Sequence, residues 1–165
     1  YTIKKNTFHN RGGNANSYAA IDSAGTKVFL KRYSMPGPRN PWFQDFVDYQ
    51  AELKRRVENN PALKEFCYKM IDFFVHTNKF YHQIFLFMPD TKDLSDMLGE
   101  VRAGRGPTFE KRVILAKRLM GSMNALHDAN IIHADLKPEN LLMIEDSSIA
   151  AGHKLLLIDM DFSVA

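Results

Sequence analysis

Residues 133–140 read His133-Ala134-Asp135-Leu136-Lys137-Pro138-Glu139-Asn140. A carboxylate, an ammonium and a primary amide thus fall within six residues, directly ahead of the apolar run Leu141-Leu142-Met143-Ile144. Phosphoryl transfer needs such groups: an acceptor that orients the incoming hydroxyl, a cation beside the phosphate, and an oxygen ligand for a metal. Downstream, Asp159 and Asp161 close a second apolar run, Leu155-Leu156-Leu157-Ile158. A carboxylate at a strand end near such a loop suits a hard cation that keeps several waters and bridges phosphates. Residue types alone leave a plainer reading open, in which the loop and the strand end simply turn polar groups to water.

The elements that must position these groups follow from pattern. Tyr18–Ile21 and Val28–Leu30 alternate as strands around the turn Asp22-Ser23-Ala24-Gly25. Pro36, Pro38 and Pro41 break the chain, and a helix is predicted over about 43–58, stopping at Asn59-Asn60-Pro61. Segments 70–75 and 83–88 read as strands around a turn near Thr77-Asn78-Lys79, and 93–102 as a short helix. Thr108 is placed to cap a long helix to about Asp128, whose Val113, Ala116, Met120 and Met123 recur at helical steps and read as core. The two apolar runs after Asn140 form a hairpin. Strands with one inserted helix, followed by a mainly helical part, give an α+β class in two lobes.

On these residues the chain resembles the eukaryotic-like, bacterial-type serine/threonine protein kinases. His133 to Asn140 is similar to their catalytic loop, and Lys two residues after Asp is similar to the serine/threonine rather than the tyrosine branch. The resemblance implies that Asp135 is the catalytic base or substrate orienter, that Lys137 supports the transferred phosphate, and that Asn140 binds magnesium. His133 becomes a structural brace. Ala134 stands where many members carry Arg, which implies no control through a phosphorylated activation segment. Asp161-Phe162-Ser163 resembles the Asp-Phe-Gly motif and implies Asp161 as a metal ligand, with Phe162 packed beneath the paired helix. Ser163 in place of Gly is less free to take positive φ. Asn140 and Asp161 are 21 residues apart, a long interval for the family, which the loop at 145–153 absorbs.

Upstream, Lys27-Val28-Phe29-Leu30-Lys31 resembles the Val-Ala-Ile-Lys strand, so Lys31 is implied to reach the α- and β-phosphates. Glu52, 21 residues on, fits the Glu of the paired helix. Arg11 to Ala20 resembles the glycine-rich loop of many bacterial kinases. Gly12 and Gly13 would there let backbone N–H groups approach phosphate, although Asn10, Ala15 and Ser17 depart from the pattern. Leu86-Phe87-Met88-Pro89 looks like the hinge, with Phe87 and Met88 beside adenine and Asp93 placed for ribose; a strand followed by a helix cap reads the same way.

The likeness runs in order through all 165 residues and stops before the activation segment. It implies an N-lobe at 1–88, a partial C-lobe at 89–165, ATP and Mg2+ as cofactors, and a protein substrate with a Ser or Thr acceptor. Small-molecule kinases of aminoglycoside or choline type, atypical RIO-type kinases and a pseudokinase scaffold share parts of the pattern. The string Leu136-Lys137-Pro138-Glu139-Asn140 separates the chain from the small-molecule group. A full set of six polar groups (Lys31, Glu52, Asp135, Lys137, Asn140, Asp161) separates it from a scaffold.

Bulk composition agrees with a globular domain: 45% hydrophobic and 25% charged residues, with a net charge of +3 spread along the chain. Scattered basic residues argue for no nucleic-acid partner. No apolar run approaches the roughly 18 residues of a membrane span. The single cysteine, Cys67, reads as a buried structural thiol in a reducing cytoplasm. The chain opens on Tyr1, as an excised piece of a longer protein would.

Overall fold

A computed structural model describes residues 1–7, 15–77, 79–88, 91–161 and 163, with the side chains of 5–7 left aside. The chain forms two compact units. One comprises Tyr1–Arg55 and Lys69–Pro89, the other Arg56–Tyr68 and Asp90–Ala165. The division expected at 88/89 is therefore crossed by 56–68, which belongs with the second unit.

The first unit is an antiparallel sheet of β1 (Thr2–Thr7), β2 (Ala15–Ile21), β3 (Lys27–Tyr33), β4 (Met70–His76) and β5 (Phe80–Leu86), in the order β1-β2-β3-β5-β4. Helix α1 (Phe43–Asn59) follows β3. The β2–β3 turn closes as predicted: Asp22 Oδ1 accepts from the N–H groups of Ala24 and Thr26, and Gly25 takes φ 82°. Alternation sends Tyr18, Ala20, Val28, Leu30 and Ile84 into one core. Tyr33 and Tyr81 point to the opposite face and pack against Phe43 and Phe46 of α1. This face also carries Lys31, because residues two apart on a strand share a side.

In the second unit, α2 (Pro61–Phe66), α4 (Phe109–Asp128) and β8 (His153–Leu157) pack on one another, and each supplies a fully buried leucine: Leu63, Leu126 and Leu157. Burial of such a side chain stabilises by about 1.5–3 kcal/mol. Asn60 caps α2, its Oδ1 accepting from the N–H groups of Ala62 and Leu63. Strand β8 pairs with β7 (Leu141–Glu145), and β7 with the two-residue β6 (Lys92–Asp93), which leads into α3 (Leu94–Arg102). The 146–152 connection is organised by Asp146, whose Oδ1 accepts from the Ser148 N–H and hydroxyl while its N–H donates to the Gly152 carbonyl.

Strand β1, helix α2 and strand β6 escape pattern reading, β1 because it is a polar edge and the others because they are shorter than any reliable period. One core expectation is corrected. Val113 and Met120 of α4 are exposed, as is Ala116, whereas Leu115, Ser122 and Leu126 are buried. Apolar residues form two stripes on α4, and contact with α2 and β8 selects the one that pattern did not favour. Cys67 is buried as expected, and burial pushes its thiol up to about 12. No described helix is long and apolar enough to cross a membrane.

Candidate active site

Ile131, fully buried, anchors the segment that follows α4. His133, 3% exposed, donates from Nε2 to the Ile158 carbonyl at 2.9 Å, and the Ile158 N–H donates to the Asn140 carbonyl at 3.0 Å. The two bonds tie both ends of the 133–140 loop to the residue just after β8. With Nε2 donating to a carbonyl, the His133 ring braces the loop against the segment after β8. Its Nδ1 is buried without a hydrogen-bond partner among the described residues.

Ala134 adopts φ 61°, and the Asp135 N–H donates to the His133 carbonyl at 2.9 Å. A left-handed alanine costs about 1 kcal/mol or more, and such strain persists only where the surroundings impose it. Here the loop turns sharply and presents Asp135 with its side chain half exposed. Lys137 Nζ donates to Asp135 Oδ2 at 2.7 Å, and Asn140 Nδ2 donates to the same oxygen at 3.0 Å and to the Asp135 carbonyl at 2.8 Å. Asn140 is 4% exposed at the end of the short helical turn Pro138–Asn140. With Nδ2 committed to Asp135, Oδ1 is the atom of the amide that could take a metal. The bond to Asp135 holds the Lys137 ammonium above its ordinary range, burial opposes this, and Asp135, Asp159 and Glu139 add their charge.

After β8, Asp159 takes φ 60° and breaks the alternation that would place it on one side with Asp161. Asp161 is 6% exposed and Asp159 only half-buried. Ser163 closes the turn, donating from N–H and Oγ to the Met160 carbonyl at 3.1 and 2.7 Å. Phe162 lies outside the described residues. Among the described residues no three His, Cys, Asp or Glu side chains cluster as a closed metal cage. One amide oxygen and one buried carboxylate nevertheless fit Mg2+, which takes few protein ligands alongside waters and phosphate oxygens.

In the first unit Lys31 lies opposite Gln83 of β5, and its Nζ sits 5.1 Å from the centroid of the Tyr33 ring. Glu52 binds Arg55 through both carboxylate oxygens at 2.7 Å. The buried face of α1 runs through Phe43, Phe46, Gln50 and Leu53. Glu52 is two residues past Gln50, about 200° further round the helix. Gln50 is thus a polar side chain that α1 sends toward the sheet, where it meets Gln83, and the 21-residue spacing that selected Glu52 did not point to it. The signal was available, since steps of three and four from Phe43 land on Gln50 and a further three on Leu53. Phe87, beyond the end of β5, lies 5.9 Å from Lys27 Nζ and is half-buried, as is Met88. Asp93 is the N-cap of α3: its Oδ1 accepts from the Asp96 N–H at 2.8 Å, and the Asp96 carboxylate accepts from the Asp93 N–H. Gly12 and Gly13 lie outside the described residues.

No protein-family model matches the chain. Over 104 residues, 62% of the chain, it is 31% identical to the serine/threonine-protein kinase Doa of Drosophila melanogaster. Over 99 residues, 58% of the chain, it is 25% identical to the serine/threonine-protein kinase prpf4B of Dictyostelium discoideum. The matched part spans 12% of the length of each relative. In structure the chain superposes on the BubR1 kinase domain with a TM-score of 0.70 and 20% identity, over 98% of its own length and 46% of that chain.

Proposed function

We propose that a chain with the kinase-domain fold over 98% of its length, and with this loop, belongs to a protein kinase that moves the terminal phosphoryl group of ATP to a serine or threonine hydroxyl of a protein. The observation that carries the reading is the convergence of Lys137 Nζ and Asn140 Nδ2 on a single oxygen of Asp135. A half-exposed carboxylate held by two donors is fixed in direction, and its other oxygen can accept the proton of an incoming hydroxyl. Lys137 then stands beside the nucleophile as a compact cation for the charge on the transferred group. Asn140 and Asp161 are the groups that would hold Mg2+, which when bound neutralises the phosphate oxygens. Lys31 supplies the phosphate-binding cation of the first unit. Gly12, Gly13, Phe87, Met88 and Asp93 are assigned to the nucleotide on the resemblance of their segments. The relatives' names support the serine/threonine class, and Lys137 two residues after Asp135 agrees with it.

The test is phosphoryl transfer by Asp135→Asn and Lys31→Met, in a protein long enough to transfer phosphate. Each removes a positioned charge, and a loss on the order of a hundredfold or more is expected. Near-normal transfer by folded Asp135→Asn overturns the enzyme reading and leaves a scaffold.

A further inference from the structure

Beneath α1 lies a chain of buried polar groups that the proposed chemistry has not used. Gln50 and Gln83 are fully buried and Tyr33 is 1% exposed. Gln83 Nε2 donates to Gln50 Oε1 at 2.9 Å, and Gln83 Oε1 accepts from Tyr33 Oη at 2.9 Å. Both ends of the Gln83 amide are thereby engaged, and turning it over would set its Oε1 against the Gln50 Oε1, acceptor against acceptor. Its Nε2 also lies 3.5 Å from Tyr81 Oη. A buried amide is costly unless its polar atoms are bonded, so the arrangement is held as a unit.

Tyr33 is the junction. Its hydroxyl is pinned by Gln83, and its ring is wedged between Phe46 at 6.0 Å and Tyr81 at 5.4 Å, centroid to centroid. On that ring rests the Lys31 ammonium, within cation–π range at 5.1 Å. Lys31 is also the cross-strand partner of Gln83, so the two residues share a face of the sheet.

We infer that the Gln50–Gln83–Tyr33 relay sets the position of the Lys31 ammonium. Gln50, Gln83 and Tyr33 are positioning residues for the phosphate-binding lysine, and α1 communicates with that lysine through a neutral amide and a phenol. A lysine stem is flexible and its ammonium has no fixed geometry of its own. A pinned ring face supplies that geometry. A shift of α1 that breaks the Gln50–Gln83 bond releases the amide, then the Tyr33 hydroxyl, then the surface on which Lys31 rests. The inference rests on the assignment of Lys31 to phosphate, and its test separates the two.

The lysines of the chain are reductively methylated with a carbon-13 label, and the Lys31 resonance is identified by its loss in Lys31→Arg. The resonance and the Kd for magnesium-ATP are then measured in Gln50→Leu and Tyr33→Phe. Leu53→Ala, a buried α1 substitution outside the relay, serves as the control for general loosening. The relay requires that Gln50→Leu and Tyr33→Phe both move the Lys31 resonance and weaken nucleotide binding by about tenfold, while Leu53→Ala does neither. Tyr33→Phe keeps the ring and removes only the hydroxyl, so it carries the test alone where Gln50→Leu does not fold. An unmoved Lys31 resonance in folded Tyr33→Phe, or an equal movement in Leu53→Ala, overturns the inference. A resonance that moves as stated in a chain that binds no magnesium-ATP sustains the relay and overturns the nucleotide reading.

Discussion

At Asp135, two donors share one carboxylate oxygen, so the side chain is held in direction and is not simply turned to water. The same scale separates the two acids after β8. Period-two alternation puts Asp159 and Asp161 on one side and does not separate them, and from the sequence only the resemblance of Asp161-Phe162-Ser163 to Asp-Phe-Gly prefers Asp161. In the structure Asp159 is left-handed and half-buried and contributes its charge to Lys137, while Asp161 is turned inward at 6% exposure. Asn tolerates left-handed backbone well, so Asp159→Asn is a conservative change there. A magnesium titration of phosphoryl transfer should find Asp161→Asn inactive at every accessible metal level and Asp159→Asn retaining most activity. The opposite ranking would move the metal ligand two residues upstream and favour the small-molecule kinases, in which an Ile-Asp pair like Ile158-Asp159 ends the strand.

At the scale of elements, the sheet of the first unit holds a titratable group that links packing to pH. His82 of β5 is buried, stacks on Phe74 of β4 at 4.9 Å, and lies edge-on to His76 at 6.2 Å. Burial is the main cause that lowers its pKa from the ordinary 6.5, and His76 and Arg32 push the same way. The bond to the Phe80 carbonyl opposes them without reversing the direction. The unfolded imidazole therefore binds protons more readily than the folded one. This contribution to stability is complete above the ordinary His value and is lost as pH falls through it toward the lower folded value. Urea midpoints measured from about pH 7.5 to about pH 5.5 should fall with acid. They should fall less in His82→Phe, which keeps a ring on Phe74 and removes the proton. An identical decline in both proteins would locate the acid sensitivity elsewhere.

At the scale of the molecule, each unit has its own core, and the second leaves an apolar stripe uncovered. Phe109, Val113 and Met120 of α4 are 67%, 37% and 72% exposed. They are spaced four and seven residues apart, so they share a helix face. Surface substitutions away from packing change stability by only about ±0.5 kcal/mol. Met120→Lys in the 165-residue chain should therefore leave the Tm essentially unchanged while lowering binding of a hydrophobic dye and raising solubility. A Tm loss of several degrees would show that Met120 is packed after all. The chain corresponds to 46% of the BubR1 kinase-domain chain, so transfer assays belong in a longer protein, whereas this stability test belongs in the chain itself.

The sequence by itself determined the class of the fold, most strand and helix positions, and the loop that carries Asp135, Lys137 and Asn140. These rest on local physics: period-two alternation in β2 and β3, the Thr108 cap before α4, the proline breaks, and residue types set six apart or closer. What only the tertiary structure decided is which of several locally equivalent groups turns inward. Gln50 rather than Glu52 is fully buried, Leu115 and Leu126 rather than Val113 and Met120 face the core, and Asp161 rather than Asp159 is buried. Each choice is made by a partner distant in sequence: Gln83 of β5 selects Gln50, and α2 with β8 selects the buried stripe of α4. The backbone that separates the two acids is held by bonds from Ile158 to His133 and Asn140. Periodicity states which residues share a face, but only the surface packed against that face states which one is buried.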